Sequence, residues 1–81
     1  MSQIQPPMIG TWDVQVLASR PFTIHGDLYY ELHARRIEEQ SNNAYVLRVP
    51  QHAVQSPPQM GEKLRLTFLM GQITAAQRIT S

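Results

Sequence analysis

Leu64, Leu66, Phe68 and Met70 alternate with Lys63, Arg65, Thr67 and Leu69, which is the period of a half-buried strand. After Gly71-Gln72 the apolar set resumes at Ile73, Ala75 and Ile79. A two-residue turn there sets Met70 opposite Ile73, Phe68 opposite Ala75 and Leu64 opposite Ile79. Directly opposed residues share a face, so this register gathers nearly every apolar side chain on one side. Gly71 at the first central position suits a type II′ turn. The pattern predicts a closing hairpin and an all-β fold.

The same alternation runs upstream. Trp12, Val14 and Val16 mark a first strand, interrupted at Ser19-Arg20-Pro21 because proline cannot donate to a ladder. Phe22 and Ile24 precede His25-Gly26-Asp27, and Leu28, Tyr30, Leu32 and Ala34 follow. A three-residue loop over 25–27 pairs Ile24 with Leu28 and Phe22 with Tyr30, all facing inward. The apolar phase shifts from even positions to Ile37, which predicts a bulge near Arg35-Arg36. Gln40-Ser41-Asn42-Asn43 reads as a polar turn, and Tyr45, Leu47 and Val49 as a third strand whose facing Val46 leaves open. The connection 50–62 holds at most one helical turn at 51–55, since Pro57 and Pro58 stop anything longer. Residues 1–9, with Pro6 and Pro7, read as a flexible arm, and residues 10–81 as a single domain.

A three-stranded meander, a prolyl crossover and a final hairpin predict a small five-stranded barrel. In the order of its elements the chain resembles the OB-fold. The corresponding strands are Trp12–Ile24, Leu28–Glu39, Ala44–Val49, Lys63–Met70 and Ile73–Thr80. The resemblance is one of architecture and rests on no diagnostic motif. An SH3-like barrel is the alternative, with five strands and similar length.

Composition removes several functions. The 81 residues include no cysteine, which excludes disulfides and thiolate metal sites. MSQIQPPMIG has neither a basic nor an apolar leader segment. No apolar run approaches the ~20 residues that span a bilayer, so a cytoplasmic protein with no membrane partner is expected. His25, His33 and His52 are scattered, without the spacing of a metal motif. Glu38 and Glu39 point to opposite faces of a strand and cannot act as a pair there. No G-x-S-x-G elbow or phosphate-binding glycine loop occurs. The expectation is a non-enzymatic protein without cofactor or metal.

A net charge of +1 argues against strong electrostatic binding. Six of the seven basic residues are arginine, however, and arginine offers planar, bidentate recognition. On the second strand Tyr29, Glu31, His33 and Arg35 face away from the core, next to Val46 and Arg48 on the third if Tyr45, Leu47 and Val49 face inward. By the OB resemblance, Tyr29, His33, Arg35 and Arg48 would form a stacking and phosphate-contacting patch, with Arg36 and Arg65 at its margins. That implies weak binding of single-stranded DNA or RNA. The plainer account of the same residues is a solvated sheet face with its arginines salt-bridged. The alternative function is a protein-interaction module, with another protein or itself as partner. Val46 and Leu69 are its exposed apolar candidates, and a homodimer formed through them or through edge strands its simplest form.

Overall fold

A computed structural model of the chain describes residues 8–40 and 43–79. Every alternating segment becomes a strand: β1 (Ile9–Ile24), β2 (Asp27–Arg36), β3 (Tyr45–Pro50), β4 (Lys63–Leu69) and β5 (Gln72–Arg78). They form one antiparallel sheet in the order β3-β2-β1-β4-β5. A single 3₁₀ turn, Gln51–Ala53, occupies the crossover, as the prolines dictate. Of the arm expected at 1–9, residues 1–7 lie outside the described residues, and Ile9 already pairs with Leu69. Ser41 and Asn42 of the polar turn also lie outside them. Among the described residues no helix is long and apolar enough to cross a membrane.

β1 is the organising strand. Its first half pairs with β4, from Ile9↔Leu69 to Gln15↔Lys63, and its second half with β2, from Val14↔Arg36 to Ile24↔Asp27. The register shifts between Val16 and Ala18, so Leu17 is the bulged residue. This corrects the bulge expected at Arg35-Arg36: β2 simply ends at Arg36, and Ile37 falls in the following turn. Before the bulge Trp12, Val14 and Val16 are buried; after it the parity reverses, and Phe22 and Ile24 lie on the outer face. Their expected inward placement was therefore wrong.

Both hairpins use two-residue turns with positive φ at each central position. These are His25 (51°) and Gly26 (86°) in one, Met70 (54°) and Gly71 (77°) in the other. That is the type I′ geometry, whose twist continues that of the strands. The first turn is one residue shorter than expected, pairing Phe22 with Tyr29 rather than Tyr30. The second sits one residue earlier than Gly71-Gln72, because glycine serves the second central position. Met70 is then turned out, and Phe68 pairs with Ile73. A second register shift at Thr67/Phe68 brings Ala76 into the core in place of Ala75.

Among the described residues fifteen apolar side chains are buried together, and none of the buried residues is polar or charged. At their centre Trp12 meets Tyr45 and Phe68 edge-on, with ring centroids 4.9 and 5.3 Å apart. Val54, from the crossover, is one of the fifteen.

The sheet does not close into the expected barrel. β3 and β5 lie alongside one another with no ladder between them. The chain of antiparallel neighbours makes these two edges parallel to each other, the weaker pairing per residue. β3 also ends at Pro50, which has no amide hydrogen to offer.

Phe68→Ala should cost about 3–5 kcal/mol in urea unfolding, whereas Phe22→Ala should cost no more than about 1.5 kcal/mol, the scale of one ring pair. Equal losses would put Phe22 back in the core. His25→Asn should raise stability by up to about 1 kcal/mol, since asparagine tolerates the left-handed region better.

Candidate nucleic-acid interface

The tight turn at His25-Gly26 and the bulge at Leu17 together decide what the outer face of β1, β2 and β3 displays. Opposed residues form rows across it: Ala18, His33 and Val46; then Arg20, Glu31 and Arg48; then Phe22, Tyr29 and Pro50. The Phe22 and Tyr29 rings stack, with centroids 5.7 Å apart and planes 29° from parallel. The Arg48 guanidinium lies 5.7 Å from the Phe22 ring centroid, within the range of a cation–π contact. Glu31 sits between two guanidiniums and accepts from Arg20 Nε at 3.0 Å. Arg48 has no ion-pair partner among the described residues.

Beside this face runs the open seam between β3 and β5, a groove of ≈ 710 Å³. Tyr29, Arg48, Pro50 and His52 line one bank, and Gly71, Gln72 and Thr74 the other. Leu47, Phe68 and Ile73 supply apolar surface between them. Among the described residues no carboxylate lines the groove, and the ionisable side chains that do are Arg48, His52 and Tyr29. An anionic ligand therefore meets no charge repulsion there.

Of the residues singled out from sequence, Tyr29 and Arg48 both line the groove, and His33 shares their face two rows from Tyr29. Arg35 shares their outward parity, but its Nε donates to Gln15 Oε1 at 3.0 Å. Arg36 takes the inward parity, at the end of the core. Its guanidinium lies 4.4 Å from the Trp12 ring centroid and 3.5 Å from Glu39, and Glu39 accepts from the Tyr45 hydroxyl at 2.6 Å. That bond to a carboxylate raises the Tyr45 phenol above its ordinary value. Arg65 is on β4, donating to both carboxylate oxygens of Asp13 at 2.8 and 3.1 Å. Val46 and Leu69 are 58% and 51% exposed, on β3 and β4 respectively, so they do not form one patch.

Phe22 is the residue that sequence reasoning missed. The usable signal was His25-Gly26 itself: histidine is among the residues that enter the left-handed region, which makes the pair a type I′ candidate and moves Phe22 outward. The groove was not legible, since its banks come from strands distant in sequence. Among the described residues no three His, Asp or Glu side chains converge as a metal would require.

Set against protein-family models, curated proteins and solved structures, the chain matches none of them.

Two ion pairs brace the regions around the site. Arg78 donates to both oxygens of Glu62, at 2.7 and 3.1 Å, and to the carbonyls of Ser56 and Pro57, each at 3.2 Å. It thereby ties the crossover to β5. The Arg78 bond holds the Glu62 carboxyl below its usual value of 4.5, helped by the Gln59 amide, and the Arg65 bond holds Asp13 below 3.8. A carboxyl whose folded value is depressed contributes stability above its unfolded value and loses it as pH falls through the folded one. The melting temperature should stay level from neutral pH to about 5 and fall below about pH 4. Glu62→Gln should melt lower at pH 7 and show a shallower acid slope by calorimetry; an unchanged slope would remove Glu62 from this account.

Proposed function

We propose that this chain is a non-enzymatic, OB-type binding module for single-stranded nucleic acid, engaged through the outer face of β1–β3 and the adjoining seam. The observation that carries this reading is the stacked Phe22–Tyr29 pair with Arg48 beside it, opening onto a groove without carboxylates. Bases of any identity present a π face to such rings, so stacking binds without demanding sequence. Arg48 and Arg20 are placed to meet phosphates. The Arg20 side chain is 74% exposed in its pair with Glu31, and an ion pair that open is weak enough for a phosphate to compete. The OB assignment is supported by the long bent first strand, its pairing to both β2 and β4, and the meander that follows.

Two guanidiniums set the scale of the interaction. Each phosphate neutralised on a single strand contributes about −0.7 to the slope of log K against log salt, so two contribute about −1.4. This is a weak, salt-sensitive binder, in keeping with a net charge of +1.

Fluorescence anisotropy of labelled oligo(dT) and oligo(U) should show saturable binding at low salt that weakens along that slope. Tyr29→Ala and Phe22→Ala should each cost about 1–3 kcal/mol of affinity while the fold is retained. Arg48→Ala should weaken binding and flatten the salt slope by about 0.7. No binding at low salt, or folded ring variants that bind as the parent does, would overturn the reading.

A further inference from the structure

On the opposite half of the sheet, Ile9 and Leu69 face each other across β1 and β4. The Gly71 amide donates to the Met8 carbonyl at 3.0 Å, which brings Met8 beside the β4–β5 turn. There Met70 projects from a left-handed conformation, φ 54°, where asparagine or glycine would sit without strain. Met8, Ile9, Leu69 and Met70 are 67%, 73%, 51% and 75% exposed. Four large apolar side chains open to water at one end of a small domain are uncommon in a protein that acts alone.

We infer that this patch is the contact between two copies of the chain, packed about a two-fold axis. The reason lies in its charge. A two-fold contact lays a surface against itself, so any net charge in it is met by the same charge. The next row of the face carries Thr11, Thr67 and Ala75, short and uncharged. The first charges beyond are Asp13 and Arg65, which neutralise one another through two hydrogen bonds. A self-contact thus brings no like charges together, and short side chains let a second sheet approach. Other occupants fit worse. A lipid surface favours a basic rim around its apolar residues, and an oligonucleotide requires cations; neither is present here. Phe22, Tyr29 and Arg48 take no part, so the inference stands apart from the nucleic-acid reading.

Sedimentation velocity of the full chain across a wide concentration range tests it. The expected result is a reversible monomer–dimer equilibrium whose dissociation constant rises at least about tenfold in Leu69→Asp, because each dimer then holds two facing carboxylates. Met70→Asp, at a turn position that aspartate tolerates, should do the same if the strand variant folds poorly. Met60→Asp should leave the equilibrium unchanged, being 79% exposed at the other end of β4. A wild type that stays monomeric at the highest soluble concentration would overturn the inference. So would a dimer that survives Leu69→Asp and Met70→Asp, or a monomer that co-sediments with phosphatidylcholine vesicles through these residues.

Discussion

One strand serves two partners, and everything else follows from how it manages that. β1 gives its first half to β4 and its second half to β2, overlapping at Val14 and Gln15. A strand paired on both sides along its whole length would build a flat, extended sheet. By handing over between partners and slipping register at Leu17, β1 bends, and the two halves of the sheet curl around one core. The same slip reverses which side chains face inward. Trp12, Val14 and Val16 enter the core, whereas Arg20, Phe22 and Ile24 are delivered to the surface. Phe22 is outside, opposite Tyr29, because of this slip and the two-residue turn that follows it.

The core that this bend encloses is small, and it is held at its ends by polar contacts rather than by more apolar mass. Arg36 covers Trp12 at one end, within reach of Glu39, which the Tyr45 hydroxyl also grips. Arg78 clamps the crossover through Glu62 and two backbone carbonyls. Four of the six arginines, counting Arg65 and Arg20, are thus partnered by carboxylates. The arginine bias that suggests a binding surface from composition alone is therefore in large part structural. Arg48 is the exception that matters, since it lies against a ring instead of a carboxylate.

The two halves of the outer face therefore divide the chemistry. β1–β3 present rings and guanidiniums beside a seam that offers no negative charge, while β1, β4 and β5 present methionine, aliphatic and threonine side chains. The seam exists because closing it would need a parallel pair between β3 and β5, next to a proline that cannot donate. What a closed barrel would spend on hydrogen bonding is here left as a cleft.

The sequence by itself determined the all-β class, the five strands, their rough limits and the inward faces of β2, β3 and β4, because alternation of apolar and polar residues reports which face is buried at short range. It also showed Val46 and Leu69 outside the core. It did not determine the register of either hairpin. A one-residue change in turn length exchanges faces; His25-Gly26 carried a signal for its turn, but methionine at the left-handed Met70 position is a poor one. Nor did it locate the β1 bulge: Trp12, Val14, Val16, Phe22 and Ile24 all stand at even positions, and the phase shift at Ile37 marks only the end of β2. Pairing decided that, through the requirement that Tyr30, Leu32 and Ala34 be buried against β1 and β3 together. The stacked rings, the groove and the apolar end are products of those pairings, and contacts between residues far apart in the chain leave no period in it.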